Sequence, residues 1–377
     1  MDLNGKYFKR IDYLMLLIII CLAVFSYLGI SSAKPESNAA LKQLVWYAVG
    51  FSVMLFIIFV DYELIKRFSY VLYGLGIVLL LGLFVFAEPI RGVVSWYSFF
   101  NGRVAFQPAE LAKIFTILAL ARYLDDRRGR EFTHFRELLI PFAILGVPLL
   151  IILLQPDLGT ALVFIVFLVV MLLVYGVSVK HFAIMGGITG VFVGVLVFLY
   201  NIKPEYFYKI IQPHQFERLV SFIDPSRDPL NTGYHVIQSL IAVGSGRLTG
   251  VGLGEGKQGR FNWVPDAHTD FIFSVIAEEL GFIGASILIL LLFVLLYRIY
   301  RIGTTAPDTY GMLVTAGIVG MLIFTIFENI GMTVSIMPIT GIPLPFISYG
   351  GSSILTNFIS LGLILNIGVR RSTKLFD

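Results

Sequence analysis

The sequence predicts an all-α polytopic membrane protein of about ten transmembrane helices, with one large extracytoplasmic loop between helices 7 and 8. Three observations carry this. Of 377 residues, 57% are hydrophobic and 14% charged, against about 25% charged in an ordinary soluble domain. With 36 glycines added, the apolar share exceeds what a water-soluble core of this size can hide. The apolar residues also fall in runs close to the roughly 20 residues that a helix needs to cross the hydrocarbon. Disorder, collagen-like repeats and a cytosolic enzyme are excluded. No period of about 20–50 residues marks a repeat architecture, so residues 1–377 read as a single membrane domain.

In chain order the runs are 13–31, 43–60, 68–87, 107–124, 138–154, 157–176, 181–200, 271–297, 310–328 and 350–369. The first is too long for the apolar part of a signal peptide and lacks a small-residue cleavage site, so no cleavable signal is expected. It holds Cys21, the single cysteine, which permits neither an intrachain disulfide nor a Cys-based metal site. The fourth run is the weakest, because Glu110 and Lys113 sit in its first turns. Only Gln155-Pro156-Asp157, a tight turn, parts the fifth from the sixth. The eighth is long enough to tilt or to project beyond the bilayer.

An even number of spans puts both termini on one side, and charge selects the side. Segments on the N-terminal side hold sixteen Lys and Arg: Lys6, Lys9, Arg10, Lys66, Arg67, Arg122, Arg127, Arg128, Arg130, Arg136, Lys180, Arg298, Arg301, Arg370, Arg371 and Lys374. The short loops opposite hold four: Lys34, Lys42, Arg91 and Arg103. By the positive-inside rule both termini are cytoplasmic. The net charge of +4 would suggest nucleic acid in a soluble protein. Here the placement of charge matters more than its sum, and no nucleic-acid partner is expected. Residues 201–269 then form the extracytoplasmic loop, too long to be a mere connector.

Ionisable groups at membrane depth are costly and mark candidate sites. Glu110 and Lys113, at i and i+3, read either as a self-neutralising pair or as a site. Asp157 reads as an N-cap or as a partner of Lys113 across the bundle. In Asp266-Ala267-His268-Thr269-Asp270 and Ala277-Glu278-Glu279-Leu280-Gly281, His268 and Asp270 are expected at the outer mouth of a span. Glu278 and Glu279 are expected two turns deeper, where a carboxylate pair suits proton transfer. Three prolines in Pro338–Pro345 forbid a regular helix, so this stretch is expected to line a cavity. Gly350 to Ser353, including Ser352, would also allow close helix packing. The run Gly250-Val251-Gly252-Leu253-Gly254-Glu255-Gly256 lacks dinucleotide-fingerprint spacing and a surrounding βαβ unit. A P-loop is absent, which excludes a nucleotide-driven pump.

The stretches Gln107–Lys113, Gln155–Thr160, Asp224–Gly246, His268–Gly281 and Asn329–Ser353 together resemble the SEDS family (shape, elongation, division and sporulation), polytopic peptidoglycan glycosyltransferases of bacteria. Asn329–Met332 and Met337–Phe346 look more like the elongation branch, RodA, than the division branch, FtsW; Gly250–Gly254 is closer to the division and sporulation branches. Where family members often carry Arg before the Trp ahead of the Gln-Pro motif, this chain has Ser95-Trp96. The resemblance implies polymerisation of lipid II for cell elongation and shape, with Asp270 as general base. It makes Arg218, Lys113 and Arg247 candidates to hold the pyrophosphate, and Glu110, Asp157, His268, Glu278, Glu279 and Ser352 candidate substrate contacts. It implies a class B penicillin-binding protein as partner. No cofactor is expected; a divalent cation between Asp270 and the pyrophosphate is an open alternative. A lipid II flippase and a non-catalytic scaffold of the cell-wall synthesis complex are the competing readings.

Overall fold

The computed structural model describes residues 10–87, 95–99, 104–127, 129–211, 213–227, 232–261 and 263–370. Lys6, Lys9, Arg91, Arg103, Arg128, Arg371 and Lys374 of the orientation count, and residues 228–231 of the Asp224–Gly246 stretch, lie outside them.

Ten long helices occupy the ten apolar runs. They are α1 (Tyr13–Ala33), α2 (Ala39–Phe59), α3 (Tyr62–Phe86), α4 (Pro108–Asp126), α5 (Leu139–Leu154), α6 (Leu158–Tyr175), α7 (Val179–Ile202), α12 (Ile272–Thr304), α13 (Thr309–Thr333) and α14 (Gly351–Val369). Among the described residues nine helices are long and apolar enough to cross a membrane, and α4 falls outside that set. Its charges are nonetheless placed for a span, because α4 packs against α3, α5, α6, α13 and α14 rather than against lipid. Side chains start and stop these helices: Asp12, Asp61, Asp157 and Asp308 each accept a backbone N–H at an N-terminus. Gly176 (φ 95°) ends α6 in the left-handed conformation.

α14 lies at the centre and packs most extensively on α2. Small residues allow the approach: a Cβ on Gly50 would fall 2.3 Å from the Phe358 ring, and one on Gly351 2.3 Å from the Trp46 ring. α7 sits at the periphery, with His181 its one buried residue. Both described ends meet on one face, where Arg10 Nη1 donates to the Val369 carbonyl (3.3 Å) and Arg298 pairs with Asp12 (2.6 Å). We call this the terminal face and the opposite one the loop face.

The region expected as a loop is mostly helical: α8 (Pro204–Ile210), α9 (Pro213–Ile223), α10 (Thr232–Ser245) and α11 (Lys257–Arg260). A two-stranded hairpin, β1 (Tyr97–Phe99) with β2 (Val104–Phe106), pairs Tyr97 with Phe106 just ahead of α4.

The eighth run is not one straight span. Gly281 (φ 63°, ψ −164°) breaks α12, and the broken backbone is satisfied by residues 247–252. Phe282 and Ile283 donate to the carbonyls of Arg247 and Leu248 (2.9 and 3.1 Å), while Val251 and Gly252 donate to those of Glu278 and Glu279 (3.0 and 3.2 Å). Gly250 is obligatory in this clasp, since a Cβ there would lie 2.0 Å from the Glu279 carbonyl oxygen. Phe282–Thr304 crosses alone, being about 34 Å long at 1.5 Å per residue. The half-helix Ile272–Leu280 climbs beside α1 toward the loop face: Ile272 and Ile276 face Gly29, and Ser32 donates to the Glu279 carboxylate. The expected order of depth is therefore reversed. Glu278 and Glu279 lie nearer the loop face than Asp270.

Candidate active site

The half-helix sinks its own N-terminus into the bundle. Ser348 Oγ donates to the Thr269 carbonyl, and Ser26 Oγ to the Ile347 carbonyl (2.7 Å). Ser26 lies two turns before the end of α1, so this level is about 10 Å inside it. Above it opens a cavity of about 570 Å³, lined by residues of seven segments. That volume suits a sizeable polar ligand.

Asp270 faces this cavity, as do Lys113, Glu110, Asp157 and Arg218. Two backbone carbonyls, those of Asp270 and Ile342, accept hydrogen bonds from Asn329 Nδ2 (2.8 Å each). Asn329 on α13 thus ties the Asp270 segment to the proline-rich wall. Gly341 (φ 76°) lets that wall pass the carboxylate, for a Cβ there would lie 3.3 Å from Asp270 Oδ2. Asp270 is not the helix N-cap; Phe271 holds that place.

Lys113 Nζ bonds Glu110 Oε1 at 2.9 Å, with both side chains 6% exposed. The cross-bundle pair of Lys113 with Asp157 is not formed. Asp157 instead caps α6, accepting from the Thr160 N–H (2.9 Å), Thr160 Oγ1 (2.8 Å) and Gln107 Nε2 (3.4 Å). Burial holds its carboxyl above the usual aspartate range, against the lowering effect of the Thr160 bonds. Arg218, from α9, donates to the Thr340 carbonyl (3.4 Å), and Thr340 Oγ1 donates to buried Glu328 (2.6 Å).

The remaining candidates lie off the wall. His268 packs its ring against Tyr349 (centroids 5.8 Å apart), and burial lowers its pKa. Ser352 Oγ accepts from the Gln107 N–H (3.0 Å) and so holds the start of α4, while its neighbour Ser353 reaches the cavity. Glu278 Oε1 accepts from Lys257 N and Gln258 N (2.9 and 3.2 Å), and Glu279 accepts from the amides of Gly254 and Gly256. These carboxylates pin the glycine-rich run, which is the structural need that sequence reasoning missed. Arg247 (φ 47°) belongs to the same clasp, away from the cavity. Among the described residues no group of three or more His, Cys, Asp or Glu could hold a metal ion. Those residues therefore supply no protein-only cage for a divalent cation.

A family model described as cell cycle protein (FtsW, RodA, SpoVE) matches residues 8–373. The chain belongs to the FtsW/RodA/SpoVE family. Stage V sporulation protein E of Bacillus subtilis (strain 168) is 38% identical over 336 residues, covering 87% of this chain and 86% of that protein. The peptidoglycan glycosyltransferase MrdB of Escherichia coli (strain K12) is 33% identical over 363 residues, covering 96% and 94%. Among solved structures, a chain from a peptidoglycan synthase complex that coordinates polymerization and crosslinking superposes with a TM-score of 0.80 at 32% identity, covering 96% of this chain and 99% of that one. The rod shape determining protein RodA of Thermus thermophilus gives 0.70 at 26% identity, covering 96% and 97%. The fold is thus shared with these solved structures, and this FtsW/RodA/SpoVE member is a multi-pass membrane protein.

Sequence reasoning missed Asn329, Thr340 and Glu328 as builders of the cavity wall. The available signal was two adjacent polar residues, Glu328-Asn329, at the end of an apolar run.

Proposed function

We propose that this chain is a peptidoglycan glycosyltransferase that polymerises lipid II at the loop face, which is the extracytoplasmic one, with both termini in the cytoplasm. The observation that carries the reading is a recessed cavity in which the Asp270 carboxylate shares walls with two cations, Lys113 and Arg218, and with the carboxylates of Glu110, Asp157 and Asp266. The 4-hydroxyl of the acceptor GlcNAc gives its proton to Asp270 as its oxygen attacks C1 of the donor MurNAc. The C1–oxygen bond to the pyrophosphate breaks, and undecaprenyl pyrophosphate departs with the electron pair. Arg218 and Lys113 offset the charge that develops there. Glu110 holds Lys113 in place, and Asn329 holds the Asp270 backbone.

A class B penicillin-binding protein is the partner in this proposal, supported by the likeness to a chain of a polymerising and crosslinking complex. The experiment is polymerisation of labelled lipid II by detergent-purified wild type and Asp270→Asn, with and without a partner whose transpeptidase site is inactivated. Polymer from wild type and none from the variant supports the assignment. Transbilayer movement of lipid II in liposomes that survives Asp270→Asn, with no polymer formed, would establish a flippase instead.

A further inference from the structure

We propose that Ser95 and Trp96 form a saccharide subsite, which takes an N-acetylated pyranose ring of the lipid-linked substrate; this rests on the function proposed above. Both residues line the cavity. Ser95 is 3% exposed, and its Oγ has no hydrogen-bond partner among the described residues. A buried hydroxyl left unpaired is disfavoured unless a ligand completes it. Trp96, half-buried beside it, engages its indole in no aromatic pair, cation–π contact or hydrogen bond among the described residues. A tryptophan without a ring or polar partner and a serine with an orphan buried hydroxyl therefore stand side by side in the wall of one cavity.

Their position is fixed from both sides. Tyr97 OH donates to the Leu79 carbonyl on α3 (2.9 Å). Across the hairpin, Phe106 pairs with Tyr97, and the next residue, Gln107, is bonded to Ser352 on α14. A site held on such anchors is organised before its ligand arrives.

The chemistry of the pair selects among the parts of the substrate. An indole face carries the negative lobe of the ring quadrupole, so it is unfavourable for a pyrophosphate, which the cavity's cations serve. A prenyl chain would cover the indole but offer nothing to the Ser95 hydroxyl. A pyranose ring offers both an apolar C–H face and a polar edge of hydroxyl and acetamide groups.

The test uses the full chain in detergent with Trp46→Phe and Trp263→Phe, which leaves Trp96 as the sole one of three tryptophans. Lipid II and a soluble β-1,4-linked GlcNAc tetramer should each change its emission, and undecaprenyl pyrophosphate should not. A response to undecaprenyl pyrophosphate overturns the proposal, as does silence toward lipid II in a protein that polymerises it. A response to lipid II in a protein that makes no polymer even with its partner present leaves the subsite standing and overturns the glycosyltransferase reading. In kinetics, Trp96→Ala should raise KM for lipid II roughly tenfold with kcat within about twofold. Trp96→Phe should restore most of the loss. Rescue by Trp96→Leu to the same extent would mean a lipid contact and would also overturn the proposal.

Discussion

Replacing Gly281 by Ala separates a clasped break in α12 from a straight transmembrane helix, because the two predict opposite signs. In a straight helix, Gly→Ala stabilises by roughly 0.5–1 kcal/mol. In the observed geometry, φ 63° and ψ −164° belong to a region that only glycine occupies readily. The new Cβ would also lie 2.2 Å from the Gly250 nitrogen and 2.7 Å from the Leu248 carbonyl oxygen, both backbone atoms that cannot rotate away. Strain of about 1–3 kcal/mol is expected. Loss of the four clasp bonds would add about 0.5–1.5 kcal/mol for each. A total of about 3–9 kcal/mol should lower the melting temperature by roughly 10 °C and abolish lipid II polymerisation, since the half-helix carries Asp270 at its foot. Gly244→Ala is the matched control, because a Cβ there meets nothing within 4 Å. Thermal melts in detergent give the readout. A Gly281→Ala protein that melts at or above the wild-type temperature with full activity would refute the clasp.

Lys113→Ala should destabilise by about 3–5 kcal/mol by stranding buried Glu110; the double variant Glu110→Gln/Lys113→Met should recover stability in melts but not polymerisation. Asn329→Ala removes the shared donor of two buried carbonyls. It should cost about 2–5 kcal/mol and reduce kcat more than it changes KM in lipid II assays. His268, whose pKa burial lowers, takes up a proton less readily folded than unfolded. The stability it contributes is therefore present above the ordinary histidine value of about 6.5 and is lost as pH falls from there through the folded pKa. His268→Gln should flatten that part of a melting-temperature profile taken from about pH 8 to pH 5.

The ten helices were legible because crossing a bilayer imposes a length and an apolarity that composition alone reveals. Even α4, weakened by Glu110 and Lys113, keeps its register, since its charges face neighbouring helices. The break at Gly281 was not legible. A glycine in an apolar run reads equally as a packing contact, and the mate that satisfies the break lies about 30 residues earlier in a segment assigned to a loop. The same blindness misplaced Glu278 and Glu279, which look functional until the amides of residues 254–258 are seen to need them. Lys113 chose the partner on its own helix over Asp157 because the i, i+3 geometry places Glu110 within 2.9 Å, while Asp157 is already committed to Thr160. The signals that survived were those of residue type. A run of prolines did mark a cavity, and Thr340–Pro343 share its wall with Asp270.

The inward tilt of Ile272–Leu280 has an energetic consequence for any ligand tethered to a prenyl tail. Lifting hydrocarbon out of a bilayer costs about 0.8 kcal/mol for each methylene. A reaction centre standing clear of the membrane would have to draw several such groups into water with every donor and acceptor, a penalty of roughly 5 kcal/mol for half a dozen carbons. With Asp270 sunk about 10 Å toward the level of Ser26, the tail of such a ligand would stay in lipid while its sugar end bent to meet the carboxylate. The water-loving polymer then has one downhill way out, toward the loop face. Depth alone would thus give the synthesis its direction.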